Sequence, residues 1–108
     1  FIPNSVKKIT FGDDFNQPLY IRDIPQSVHH LTFGYSFNQP LDIGVIPNKV
    51  THLKFGKTFD KKIVSENDVN IENYSHFHDT VIIPPSVISI TLYKNYKNKI
   101  EKINYNLR

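Results

Sequence analysis

An Ile-Pro pair occurs at Ile2-Pro3, again at Ile24-Pro25 and again at Ile46-Pro47, 22 residues apart each time. Repetition at a fixed short period constrains a fold tightly. A unit of this size cannot bury its own apolar side, so successive copies must stack and share one continuous core. The register holds through the whole unit: Val6, Val28 and Val50 align, as do Ile9, Leu31 and Leu53, then Phe11, Phe33 and Phe55. Gly12, Gly34 and Gly56 come next, followed by Phe15, Phe37 and Phe59, then Asn16, Asn38 and Asp60, and finally Leu19, Leu41 and Ile63. A degenerate fourth copy restarts at Pro84-Pro85-Ser86-Val87, with Ile90, Leu92, Tyr96 and Ile100 in the places of Ile9, Phe11, Phe15 and Leu19, and Tyr93 in the place of the glycine. Val87 follows Val50 by 37 residues instead of 22, so an insertion falls in 64–82.

Each unit has a physical reading. Val6, Ile9 and Phe11 occupy the first, fourth and sixth positions of an L-x-x-L-x-L pattern, and Ile9-Thr10-Phe11 alternates apolar and polar as a half-buried strand does. Gly12 ends the strand, where a turn with a glycine-permitted φ is expected. Pro18 and Pro40 cannot donate to a ladder and belong off the sheet. One strand per unit, always running the same way, predicts a parallel sheet. No stretch within a unit has a sustained helical period, so the return side is expected to be turns or short 3₁₀ pieces. Stacking makes columns of like residues: two of aromatic rings, and one of asparagine, expected to satisfy buried polar groups of adjoining turns. The predicted organisation is a single repeat domain over 1–108, with regular units in 1–63, an insertion in 64–82 holding a short helix near Ser65, and a degenerate C-terminal capping unit in 83–108. The first turn leaves an open apolar edge, and the alternative use of the chain is a purely structural array or one that self-associates through that edge.

Composition narrows the function classes. There is no Cys, which excludes disulfide stapling and thiol catalysis and favours an intracellular, cytoplasmic setting. There is no Met even at the first position, so the chain reads as a section of a longer protein. No apolar run approaches the ~20 residues needed to cross a bilayer as a helix, and no membrane partner is expected. The net charge is +3. A dedicated nucleic-acid binder carries a denser basic stripe with arginine forks, whereas Arg22 and Arg108 are the only arginines here; no nucleic-acid partner is expected.

The segments Ile-Pro-x-x-Val-x-x-(Ile/Leu)-x-Phe-Gly and Phe-Asn-Gln-Pro-Leu resemble the FNIP repeat, a relative of the leucine-rich repeat. Residues 1–63 match closely and 83–100 loosely. The resemblance implies a mainly β, leucine-rich-repeat-like parallel β-solenoid with little or no regular helix. The family is abundant in amoebae and the large DNA viruses that infect them, and its members often carry an F-box-like segment ahead of the repeats. The resemblance therefore implies a protein–protein interaction module, the substrate-recognition region of a ubiquitin-ligase adaptor, with ligase components among its partners. No F-box segment lies in these residues. Asp60, Lys61 and Lys62 depart from the Asn-Gln-Pro of the earlier units and suggest that the regular array is ending.

Candidate binding residues follow from the strand alternation. One outward column runs Lys8, His30, His52 and Ser89; its neighbour runs Thr10, Thr32, Lys54 and Thr91; a flanking column runs Lys7, His29, Thr51 and Ile88. These positions change from turn to turn while the core does not, which fits a recognition face as well as an ordinary solvated one. Lys7, Lys8, Thr10, His29, His30, Thr32, His52 and Lys54 are the expected partner-binding residues. His30 and His52 stand one strand apart, too few ligands for zinc, which needs three or four; a pH response suits a histidine pair better. His76-Phe77-His78-Asp79 has a spacing that could present ligands on one strand face, against the plainer reading of a polar loop with Phe77 tucked onto the core. Tyr93 to Lys99 interleaves aromatics with lysines and reads as a cap. No P-loop, dinucleotide fingerprint or nucleophile elbow is present. No catalytic residue, metal or cofactor is expected.

Overall fold

The computed structural model describes residues 2–69 and 79–98, together with the backbone of 105–107. Among the described residues seven short strands make two parallel sheets. The larger has the order β1 (Lys8–Thr10), β2 (His30–Thr32), β3 (His52–Lys54), β6 (Ser89–Leu92) and β7 (Tyr105–Leu107). The smaller pairs β4 (Lys62–Ser65) with β5 (Thr80–Ile83). Every pairing in both sheets is parallel. The chain is thus a β-solenoid of 22-residue turns, as the period requires: Ile9 lies beside Leu31, Leu31 beside Leu53, and Leu53 beside Ile90.

The turns are built identically because the same residues build them. The carbonyls of Pro3, Pro25, Pro47 and Pro84 accept from the N–H groups of Val6, Val28, Val50 and Val87, closing the same four-residue turn before each strand. The strand residue between the outward positions then points inward, and Leu31, Leu53 and Ile90 are fully buried. Phe11, Phe33 and Phe55 stack in one column, with ring centroids 5.1 and 5.5 Å apart. Phe15, Phe37, Phe59 and Tyr96 form the second, at 6.0 Å for Phe15 to Phe37 and 5.9 Å for Phe59 to Tyr96. Within each turn the two columns touch, at 4.6, 4.0 and 3.8 Å in the first three turns. Tyr96 takes the phenylalanine place because its hydroxyl donates to the Lys61 carbonyl at 2.7 Å, and burial pushes that hydroxyl up to about 12.

Four features differ from the sequence-based expectation. The glycine column does not mark left-handed turns: among the described glycines only Gly44 has a positive φ, of 85°. Gly34 and Gly56 are glycine because backbones meet there. A Cβ on Gly34 would stand 2.6 Å from the Gly12 oxygen, and one on Gly56 would stand 2.6 Å from the Gly34 carbonyl carbon. The asparagine ladder lies on the surface, not in the core. Asn16 Oδ1 accepts from the Asn38 N–H at 2.9 Å, and Asn38 Oδ1 from the Asp60 N–H at 3.0 Å, each tying one turn to the next along an exposed edge.

The return side is the third difference, since it carries the β4–β5 sheet as well as turns. The inner of its two strands is β5, whose Val81 bridges to Leu41; Leu41 N–H donates to the Thr80 carbonyl at 3.1 Å and Ile82 N–H to the Leu41 carbonyl at 2.9 Å. Ile63 therefore does not sit directly beside Leu41, as the 22-residue register had it. Val81 lies between them. The apolar run Val81-Ile82-Ile83 supplied by the insertion is almost wholly buried and takes the inner place, while Ile63 remains buried one strand further out. The short helix expected near Ser65 is a single 3₁₀ turn, Glu66–Asp68, with Ser65 Oγ accepting from the Asn67 N–H at 3.3 Å. Finally, the closing unit contributes two strands. β7 follows β6 with Tyr105 beside Ile90, so Tyr93 to Asn98 precede a further strand of the sheet. Ile100, expected in the place of Leu19, lies outside the described residues, as do Phe77 and His76 and His78 of the second histidine cluster.

Candidate functional site: the outward face of the main sheet

Strand alternation positions the site. With Ile9, Leu31 and Leu53 facing the core, the residues on either side of each face out. Lys8 lies beside His30, His30 beside His52, and His52 beside Ser89. Thr10, Thr32, Lys54 and Thr91 make the parallel row. Lys7, His29, Thr51 and Ile88 precede the strands, and their backbones link turn to turn: His29 N–H donates to the Lys7 carbonyl at 2.8 Å, Thr51 N–H to His29 at 2.8 Å, and Ile88 N–H to Thr51 at 2.9 Å. All eight residues singled out from the sequence, Lys7, Lys8, Thr10, His29, His30, Thr32, His52 and Lys54, fall on this one surface, exposed or half-buried.

The imidazoles at its centre are ordered by the register. His30 and His52 stack face to face with ring centroids 4.4 Å apart and planes inclined by 3°. Thr51 fixes the second ring. Its hydroxyl donates to the His29 carbonyl at 3.2 Å and lies 2.8 Å from His52 Nδ1. One hydroxyl holds one proton; with that proton on the His29 carbonyl, Oγ1 accepts from a protonated Nδ1 of His52. His30 is held below the ordinary histidine value of 6.5, first by partial desolvation and then by its cationic neighbours His52, Lys8, His29 and Lys54. None of the outward residues of β1, β2, β3 and β6 is an Asp or Glu; the nearby carboxylate of Asp13 lies past the strand ends, at the cleft. No group of three metal-ligating side chains occurs among the described residues.

Sequence reasoning did not find the cleft beside this face. A cavity of about 270 Å³ lies at the end of the strands, bounded by Thr10, Asp13, Thr32, Tyr35, Gly56 and Tyr93. The bare glycine column makes room for it, and Asp13 Oδ1 stiffens its rim by accepting from the Tyr35 N–H at 3.1 Å. The repeated glycines were the available signal, but they were assigned to turn geometry alone. No helix among the described residues is long and apolar enough to cross a membrane.

Comparison with known proteins agrees with this architecture. The family model for the FNIP Repeat matches residues 1–36, 15–58 and 37–67. Among solved structures the chain is similar to CroV588, described as a novel circular LRR protein, with 22% identity and a TM-score of 0.54. The alignment covers 98% of this chain and 21% of that one, so the chain spans about a fifth of CroV588, and the likeness is one of fold. No curated protein matches the chain. The repeat matches cover residues 1–67, more than half of the chain, and the chain belongs to the FNIP repeat family.

Proposed function

We propose that this chain is a protein-recognition module that binds through the outward face of β1, β2, β3 and β6. The observation that carries the reading is the contrast between two sets of columns built by the same turns. The inward columns repeat the same residue types, while the outward ones vary along the stack: Lys7, His29, Thr51 and Ile88 in one, Lys8, His30, His52 and Ser89 in the next, and Thr10, Thr32, Lys54 and Thr91 in the third. A stacked array presents such positions as one continuous surface, the usual binding face of solenoids. In the wider protein the module would act as the substrate-recognition part of a ubiquitin-ligase adaptor in an intracellular setting, a reading supported by the habits of FNIP repeat proteins. Expression of the full-length protein in its natural host, with co-purifying proteins identified by mass spectrometry, tests it. His30→Ala and Lys54→Ala are expected to abolish capture of the repeat-dependent partner without moving the melting temperature. Capture that survives both changes would refute the face as the binding surface, and absence of ligase components would remove the adaptor role.

A second reading, self-association, is favoured by a separate observation. Ahead of the first turn, Phe11 and Phe15 are only half-buried and a Cβ on Gly12 would meet nothing within 4 Å, a surface that a preceding turn or a second copy of the chain would cover equally well. That edge has the shape on which each later turn stacks.

A further inference from the structure

We infer that the partner suited to this face is an extended, acid-rich protein segment lying across the strands, bound the more tightly the lower the pH. The inference rests on the recognition reading above and specifies its partner. Three observations carry it.

The first is sign. Lys7 and Lys8 on the first turn, His29 and His30 on the second, and His52 and Lys54 on the third give cationic or protonatable groups at half of the outward positions of β1, β2, β3 and β6 with their preceding residues. The remainder are hydroxyl residues and Ile88, and no carboxylate is among them. The second is spacing. Lys8, His30 and His52 are consecutive partners across the sheet, so the row spans roughly 10 Å at ~4.8 Å per strand. An extended peptide presents alternate side chains every ~6.8 Å, which lets two carboxylates on one side of it reach the row while Thr10, Thr32 and Ser89 offer hydroxyls to its backbone. The third is the scarcity of stacking platforms along the row. No outward position of β1, β2, β3 or β6 holds arginine or an aromatic other than histidine, and Tyr35 and Tyr93 lie past the strand ends, at the cleft. A single-stranded nucleic acid relies on both, so a carboxylate-bearing polypeptide fits better.

The histidine pair makes binding depend on protons. Protonation of His30 in the free chain is opposed first by desolvation and then by the charged groups that face it: His52 from β3, Lys8 from β1, His29 from its own turn and Lys54 from β3. A carboxylate seated over the stacked rings reverses that opposition and stabilises the imidazolium, so the bound pKa lies above the free one. Binding then takes up a proton. Affinity is lowest at alkaline pH, rises as pH falls through the interval between the two values, and levels off below the free value.

Fluorescence anisotropy of the intact chain with a labelled peptide of alternating Glu and Thr provides the test, with a single-stranded oligonucleotide of equal charge as the competing probe. Peptide affinity should rise about tenfold between about pH 7.5 and about pH 5.5. The pH dependence should disappear in the His30→Gln, His52→Gln double variant. Binding should fall at least about tenfold at either pH when Lys8→Glu and Lys54→Glu are combined. Lys62→Glu, an exposed charge change on β4 away from the face, should leave affinity unchanged, and melting curves should show all variants folded. Equal loss in the Lys62→Glu variant would reduce the effect to net charge and overturn the inference. Tighter binding of the oligonucleotide than of the peptide would overturn it in favour of nucleic acid. If no acidic peptide binds, yet His30→Ala and Lys54→Ala still release the partner captured from cells, the acid-rich assignment fails and the recognition face stands; if neither depends on the face, both fall.

Discussion

Gly56→Ala is expected to destabilise the fold at or beyond the ~1–3 kcal/mol typical of overpacked sites, whereas Gly12→Ala should leave stability unchanged or raise it by ~0.4–1 kcal/mol. The substitution is chemically the same and the repeat position is the same. What differs is the neighbour. The new methyl on Gly56 would drive into the Gly34 carbonyl and lie 2.9 Å from Tyr35 Cα, atoms fixed by the inter-turn hydrogen bonds and unable to yield as a side-chain tip does. Gly34→Ala meets the same obstacle against Gly12 and Asp13. Gly12 has open space on that side, and its φ is one that alanine adopts. Urea unfolding midpoints of the three variants at low protein concentration check the prediction, and equal losses at all three would show that the column is conserved in this chain for backbone φ and not for close approach. Gly12→Ala also tests the self-association reading. If copies of the chain stack there, the added methyl should abolish concentration-dependent mass in sedimentation while leaving each monomer folded.

Phe33→Ala should cost about 3–5 kcal/mol. The ring is 1% exposed and touches three others, Phe11 at 5.1 Å, Phe37 at 4.0 Å and Phe55 at 5.5 Å. Its removal deletes a large buried volume and interrupts a column whose members sit on rigid, hydrogen-bonded turns with little scope to collapse inward. Against a typical stability of ~5–15 kcal/mol for a domain, the loss would be a substantial fraction. Phe11→Ala should cost less, because Phe11 has a stacked neighbour in its column on one side only and is already partly exposed. Thermal unfolding of the two variants decides the matter; equal losses would contradict a column whose interior rings carry more of the packing than its end.

Much of this architecture was legible because a strict period leaves stacking few alternatives. Once Ile2-Pro3, Ile24-Pro25 and Ile46-Pro47 set the register, the partners of Ile9, Phe11 and Phe15 followed, and so did the outward placement of Lys8, His30 and His52. The parts that escaped are those where the period is silent. Val81-Ile82-Ile83 reads as a buried strand, but a short apolar run does not say which neighbour it pairs with, and its insertion beside Leu41 depends on three-dimensional fit. β7 returns to the sheet only 15 residues after β6, judged by Ile90 beside Tyr105, a spacing that no repeat announces. Glycine is equally required by a left-handed φ and by touching backbones, so sequence could not tell which held at Gly34 and Gly56. Conversely, Arg22 adopts a φ of 78° one period before Gly44 at 85°, and nothing about an arginine advertises that conformation. At the candidate site, parity gave the residues, but the parallel stacking of two imidazoles and the cleft above the glycine column needed coordinates.

The placement of β5 also bears on how the molecule assembles. In a regular solenoid each turn contacts only its neighbours, and folding can nucleate at any turn and propagate. Here the strand that completes the inner return layer beside Leu41 comes later in the chain than β4, which lies outside it. The third turn cannot settle into its final arrangement until a segment some 15 residues further on has arrived. On the return side the second and third turns are therefore joined through β5, with Val81 beside both Leu41 and Ile63. Loss of that one strand would uncover the buried side chains of two turns at once.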